Sequence, residues 1–296
     1  MSICLGNSAD RLIKEKYLDK IHNQMRIILK KIGINIYVIP LKIIKKKYFK
    51  DKGINNCIWV RDLFIKENKY FQLFNPLYQS NFKTNKINYR VYEINILYNF
   101  LCDYFNSSFL FSPSLHLDIK IEGGDIIEFK EVFFIGIGIR TNKLGVKFFK
   151  SFLLNIKSKK NIISIPHNAL HLDCCFNILP NEKLILFDTD QLKIGKDLEK
   201  KIYRESSIEN ILDVKCLFER KSINFNLMLN YLYIYPNYII ISYKKEFENF
   251  YKYLRDNKYK VNFIYMNDIE NDPRCGNGSI RCMSQWIDKP KNQILF

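Results

Sequence analysis

Tyr238-Ile239-Ile240-Ile241-Ser242-Tyr243, followed by Lys244 to Asn257 and then Val261 to Tyr265, reads as strand, helix, strand. Two apolar, β-branched-rich runs flank a stretch with helical spacing, the mark of a strand–helix–strand unit. The same alternation extends outward in both directions. Upstream, Gly195 to Arg204 is expected to be helical, and Ile119 to Phe129 with Glu131 to Gly138 reads as two strands turning near Lys130. Asn88 to Phe105 reads as another helix. Near the start, Ser8 or Asp10 can cap a helix whose apolar positions Leu12, Ile13, Tyr17, Leu18, Ile21, Met25 and Ile28 follow helical spacing, with Gly33 to end it. A strand from Ile34 to Ile39 stops at Pro40. The pattern is α/β, and no Pro/Gly/Ser-rich linker or low-complexity block divides it, so residues 1–296 are expected to form a single domain. No internal repeat is visible in the residues.

Composition supports a folded enzyme-sized chain. It has 296 residues, 47% hydrophobic and 15% aromatic, enough to bury a substantial core. No apolar run reaches membrane-spanning length, and the first residues lack a basic segment and long apolar stretch of a secretory leader, so no membrane association and a cytoplasmic location are expected. A net charge of +17 raises nucleic acid as a partner. The lysines are scattered through a chain crowded with Ile, Asn, Tyr and Phe, and runs such as Lys45-Lys46-Lys47 are short, so they read as solvated surface and no nucleic-acid partner is expected. The eight cysteines contain no Cys-x-x-Cys pair, and His167 and His171 have no cysteine at zinc-finger spacing, so neither a disulfide framework nor a metal site is expected.

One cysteine stands apart. Cys282 lies in Gly276-Asn277-Gly278-Ser279-Ile280-Arg281-Cys282-Met283-Ser284, where Arg281 and an imidazolium would hold its thiol in the reactive thiolate form. His171 and Asp173, in Ala169-Leu170-His171-Leu172-Asp173-Cys174-Cys175, read as a strand or strand end with both side chains on one face. Glu122-Gly123-Gly124-Asp125 reads as a bend inside an apolar strand, bracketed by two carboxylates. Trp59-Val60-Arg61-Asp62 follows a turn at Gly53 to Asn56, with Arg61 and Asp62 on alternate faces. Ile135-Gly136-Ile137-Gly138-Ile139-Arg140-Thr141-Asn142 ends a strand with an arginine suited to a carboxylate, and lacks the third glycine of a dinucleotide-binding loop.

Trp-x-Arg-Asp, Glu-Gly-Gly-Asp, Arg-Thr-Asn, His-x-Asp and a late Arg-Cys-Met-Ser, in this order from Trp59 to Ser284, resemble the guanidino-modifying enzyme superfamily. That superfamily includes arginine deiminases, dimethylarginine dimethylaminohydrolases, amidinotransferases and citrulline hydrolases. The resemblance implies a pentein fold, a pseudo-fivefold propeller of ββαβ units, and a small-molecule guanidino or ureido substrate with no metal or organic cofactor. It makes Cys282 the nucleophile and His171 the proton shuttle. Asp62 and Asp173 would clamp the guanidinium, Glu122 would orient the histidine or reach the substrate, and Arg140 would meet the substrate carboxylate. Arg281, beside the nucleophile, joins these binding residues.

Within the superfamily the signals divide. Asp173 and the Arg281 to Ser284 run look deiminase-like, whereas Leu63 stands where deiminases commonly carry proline, and the chain is shorter than a typical bacterial arginine deiminase. His171 to Phe176 is similar to a compact bacterial group labelled amidinotransferase or citrulline hydrolase. The expectation is a cysteine hydrolase on arginine or a related amino acid. An amidinotransferase and a non-catalytic pentein binding module are the alternatives, and homo-oligomerisation is left open.

Overall fold

The computed structural model describes residues 2–5, 15–38, 60–76, 90–113, 116, 118–218, 228–265 and 279–287. Ser8, Asp10, Leu12, Pro40, the turn at 53–56, Trp59 and Cys275 to Gly278 lie outside the described residues. By contacts the chain divides into two compact units, Met1–Gly123 with Asn267–Gly278 and Cys282–Phe296, and Gly124–Met266 with Ser279–Arg281.

The first unit holds two three-stranded sheets. In one, β1 (Ser2–Leu5) runs parallel to β2 (Asn35–Val38) across helix α1 (Glu15–Lys31), and antiparallel to β15 (Ser284–Ile287). In the other, β3 (Phe64–Glu67) and β4 (Tyr70–Leu73) form a hairpin, and β4 pairs parallel with β5 (Leu110–Phe111) after α2 (Arg90–Tyr104). The second unit holds three sheets of the same plan. They are β6 (Ile126–Phe129), β7 (Val132–Ile137), α3 (Lys143–Asn155), β8 (Asn161–Pro166); then β9 (Phe176–Leu179), β10 (Leu184–Phe187), α4 (Lys196–Glu205), β11 (Asn210–Asp213); then β12 (Leu232–Ile234), β13 (Tyr238–Ser242), α5 (Glu248–Asp256), β14 (Lys260–Ile264). Each is an antiparallel hairpin whose second strand pairs parallel with a third beyond a helix, the connection that parallel pairing needs.

Among the described residues five ββαβ modules are therefore present, although no repeat shows in the sequence. One is split, because its first strand, β15, comes last in the chain and pairs with β1. Two of the middle strands, β7 and β10, are apolar on both faces: Val132 to Ile135 and Leu184 to Leu186 are buried throughout. In the first unit the core joins Val60, Leu63, Phe64 and Phe71 to Ile94, Leu97 and Leu101, which follow a helical stripe on α2. In the second unit one core gathers Phe134, Ile163, Phe176 and Ile185, and another gathers Leu186, Ile239, Phe250 and Leu254. Each fully buried side chain of this kind contributes about 1.5–3 kcal/mol.

Most of the expected helices and strands are found within one to three residues of their ends where they are described; the helix expected from Lys244 starts at Glu248, after a 3-10 turn at Lys245–Phe247. Three of the helix-to-strand links, after α1, α3 and α5, repeat one device. Gly33 ends α1 at φ 78°, and Lys157 and Lys258 take the same left-handed position after α3 and α5 at φ 57° and 64°. Each link closes with a pair of bonds of Schellman type, such as Gly33 N–H to Lys30 O and Ile34 N–H to Leu29 O. Only the glycine advertises this in the sequence.

Three local expectations are corrected. Ile119 to Phe129 is not one strand: Gly123–Asp125 is a short 3-10 turn and β6 starts only at Ile126. His171 to Cys174 is not a strand either, because Leu172–Cys174 is a 3-10 turn with His171 as its N-cap, so the same-face argument does not hold. Arg61 and Asp62 do not alternate along a strand but share the 3-10 turn Val60–Leu63. In each case apolar neighbours imitate a strand, and a three-residue turn is too short to show its own period.

Candidate active site

The turns just corrected occupy one repeated position. Val60–Leu63 runs into β3, Gly123–Asp125 into β6, Leu172–Cys174 into β9 and residues 280–283 into β15, each reaching the first strand of its module. The remaining module has a turn at 228–229, followed by Asn230, before β12. Asp62, Glu122, His171 with Asp173, and Cys282 thus lie in or beside the same turn of four different modules. Five repetitions of one backbone motif supply five anchored places for side chains, and the polar residues collect there because loops at strand ends can spare them from the core.

In the first unit, the Arg61 N–H donates to Cys282 O at 3.1 Å, which ties the Cys282 backbone to the Asp62 turn. Arg61 Nη1 donates to Gln285 Oε1 at 2.9 Å, and Gln285 Nε2 donates to Phe64 O at 2.6 Å. Arg61 is thereby a brace between the turn and β15. Gly123 brings Glu122 to the same turn: a Cβ at Gly123 would lie 2.0 Å from Arg61 O, so only glycine permits this approach. Asp62, Glu122 and Cys282 are all buried, at 5%, 1% and 4% exposure. Buried carboxylates at this depth require polar or cationic company.

In the second unit, His171 and Asp173 flank Leu172 in one turn and are both buried. The Leu172 N–H donates to Asp125 Oδ1 at 2.7 Å. Asn230, beside the equivalent turn before β12, donates through Nδ2 to Asp173 O at 3.3 Å and accepts from the Arg281 N–H at 3.1 Å. Arg281 Nη1 donates to Asn177 Oδ1 at 3.2 Å, and Arg281 Nε lies 3.6 Å from Asp173 Oδ2. Arg281 is thus a partner of Asp173. Arg140 sits half-buried in the bend after β7, and Asn142, two residues on, caps α3 by accepting from the Gly145 N–H at 2.9 Å. That cap accounts for the Asn of Arg-Thr-Asn structurally.

Asp125, His167, Asn177, Asn230 and Gln285 were not among the expected site residues. Of these, Asp125 stood in the sequence as the last residue of Glu-Gly-Gly-Asp, and Asn230 could be found only from its place beside the turn before β12, a signal that requires knowing the repeat.

His171, Asp173 and Cys174 each bring a donor atom within 4.8 Å of the others, a set that suits a soft cation, although the Arg281 guanidinium at Asp173 opposes one. The neighbouring Cys175 is chemically remote from Cys282. Burial pushes its thiol far above the usual range, and the charges of Asp125, Asp188 and Asp173 push it further. Burial also raises Asp188, as it raises Cys216, where Asp213 adds to the effect. Among the described residues no helix is long and apolar enough to cross a membrane.

A family model described as arginine deiminase matches residues 112–195, a span that contains Glu122, Asp125, Arg140, His171 and Asp173 and leaves Asp62 and Cys282 outside it. No match is found among curated proteins by sequence. Solved structures match over nearly the whole chain. A DDAH from Pseudomonas aeruginosa, a cysteine-to-serine mutant complexed with citrulline, has a TM-score of 0.65 at 14% identity, covering 96% of this chain and 98% of its own. SxtG, an amidinotransferase from Microseira wollei in the saxitoxin biosynthetic pathway, has a TM-score of 0.69 at 14% identity, covering 100% and 95%. The product-bound N-terminal domain of ArgZ, an arginine dihydrolase of the ornithine–ammonia cycle in cyanobacteria, has a TM-score of 0.67 at 13% identity, covering 96% of each.

Proposed function

The chain has the pentein fold of the guanidino-modifying enzyme superfamily, and on that premise we propose that it is a cysteine hydrolase acting on the guanidino or ureido carbon of arginine or a related amino acid. The observation that carries this reading is the repeated turn: Cys282, Asp62, Glu122 and the His171/Asp173 pair stand at the entry to the first strand in four of the five modules. A shared backbone position held rigid in each module is a means of positioning reacting groups, which lowers a barrier by removing the entropy of bringing them together. Residues 1–296 act in this reading as one catalytic domain.

The chemistry follows from the side chains. Asp62 and Asp173 bind the planar cation through charge-assisted hydrogen bonds, and Arg281 holds Asp173 in place. Arg140 pairs with the substrate carboxylate. The Cys282 thiolate adds to the guanidino carbon, forming a C–S bond and a tetrahedral adduct. His171 gives a proton to one amino group, the C–N bond breaks, ammonia departs and a covalent thiouronium remains. Glu122 orients His171, which then takes a proton from water as that water adds to the same carbon. Collapse of the second adduct expels the thiolate. With arginine the sum is arginine plus water giving citrulline plus ammonia.

Mass spectrometry of products from arginine, citrulline and methylated arginines, with and without glycine, tests this beside Cys282→Ser as blank. Citrulline or ornithine formed only by the intact thiol supports the hydrolase. Guanidinoacetate in the presence of glycine makes the chain an amidinotransferase, in which an acceptor amine replaces water. No product and no adduct on Cys282 from any of them overturns the reading in favour of a binding module.

A further inference from the structure

Asp125 and His167 are buried side by side behind the His171 turn, with both side chains at 0% exposure. Asp125 Oδ1 lies 3.0 Å from His167 Nε2 and accepts the Leu172 N–H at 2.7 Å. Leu172 is the first residue of its 3-10 turn, so its N–H is one of those a helical start cannot satisfy internally. The ordinary solution is a capping side chain at the preceding position. That position is His171, whose side chain makes no capping bond. The capping task is instead performed by a carboxylate 47 residues earlier in the chain.

The His167 ring is fixed with equal care. A carboxylate accepts only, so the tautomer that bonds Asp125 Oδ1 is the one in which His167 donates through Nε2–H. This tautomer leaves a bare lone pair on Nδ1, which has no hydrogen-bond partner among the described residues, rather than a stranded N–H. The His167 backbone is held by its N–H to Ile137 O at 3.0 Å and by a bridge to Leu192. Space for the pair comes from the Ile135-Gly136-Ile137-Gly138 segment. A Cβ at Gly136 would lie 2.5 Å from His167 Nε2 and 2.8 Å from Asp125 Oδ1, and one at Gly138 would lie 2.8 Å from His167 Cε1. The two glycines are therefore a cradle for this pair.

We propose that Asp125, oriented by His167 in the cradle of Gly136 and Gly138, is the positioning residue that holds the His171–Leu172–Asp173 turn, taking over its cap so that the His171 imidazole is kept for proton transfer. This rests on the hydrolase reading for the role of His171, but the positioning itself is measurable without turnover. The chain has four histidines, so long-range proton–nitrogen correlation spectra resolve each ring. Asp125→Ala is expected to shift the His171 ring signals and to lower kcat on the order of 100-fold in folded protein, the effect of misplacing a reacting group by about an ångström. Asp125→Asn keeps an oxygen for the Leu172 N–H and is expected to leave the His171 signals and most of kcat in place. Where Asp125→Ala does not fold, Gly136→Ala carries the same test by pressing a methyl group against both members of the pair. His171 signals unchanged in whichever of these two variants folds would overturn the proposal. If the wild type turns over no guanidino compound, the hydrolase reading fails while the ring signals still decide the positioning.

Discussion

The turns Val60–Leu63 and Leu172–Cys174 stand at the same point of their modules, yet they are braced by opposite means. The first is held by a cation: Arg61 reaches Gln285, and its own N–H meets Cys282 O, more than 220 residues away in sequence. The backbone of the second is held by an anion, Asp125, on its Leu172 N–H, while the Arg281 guanidinium lies beside its Asp173 side chain. The backbone plan repeats and the bracing does not. Each module has kept the side chains its own turn requires, and this is why five similar structures leave no visible repeat in the residues.

The comparison can be broken at several points. Cys282→Ser should lower turnover by at least about 10⁴-fold in a product assay, since a hydroxyl in place of the thiolate removes the nucleophile; wild-type turnover would detach the first unit's turn from the chemistry altogether. His171→Ala should reduce kcat by about 10²–10⁴-fold with a smaller change in KM, as loss of a proton-transfer group does. Gly123→Ala should cost about 3 kcal/mol or more in denaturant unfolding, because the added methyl meets a backbone carbonyl that cannot swing away. An unchanged midpoint would mean that Glu122 and the Asp62 turn need not approach each other.

Asp62→Asn sharpens the contrast between the two turns. It should lower kcat/KM by about 10- to 100-fold, mostly through KM, since a bond to a charged partner contributes about 1.5–3 kcal/mol. A loss confined to kcat would assign Asp62 to the proton chemistry placed in the second turn. The smallest effect concerns Cys175. Its folded thiol is raised far above the ordinary value of 9.0, so its contribution to stability is present below that pH and is lost as pH rises above it. Unfolding free energy should fall by up to about 1.4 kcal/mol per pH unit above pH 9 from this group. Cys175→Ala should flatten the slope between pH 9 and 10, and identical slopes would place the titration elsewhere.

Much of the fold was legible. The run from Tyr238 to Tyr265 gave strand, helix and strand in their places, and Gly33 marked the end of α1. The order of short motifs named the candidate site, because each is chemically unusual where it stands. What misled was local. His171 to Cys174 reads as a strand because apolar residues alternate with polar ones, and the turn shows only in its short-range backbone bonds, Cys174 N–H to His171 O and Cys175 N–H to Leu172 O. Asn230 reads as an ordinary loop residue until its bonds to Asp173 and Arg281 are seen.

By itself the sequence determined the α/β elements, the absence of metal-type cysteine spacing, and which residues could do guanidino chemistry, since periodicity and side-chain type are properties of neighbouring positions. The tertiary structure alone decided the five modules, the pairing of β1 with β15 that completes one of them, and the partners of the turns. Those depend on residues brought together across tens to hundreds of positions. Hydrogen bonds and close backbone approaches act through space, and no local pattern in the chain records them.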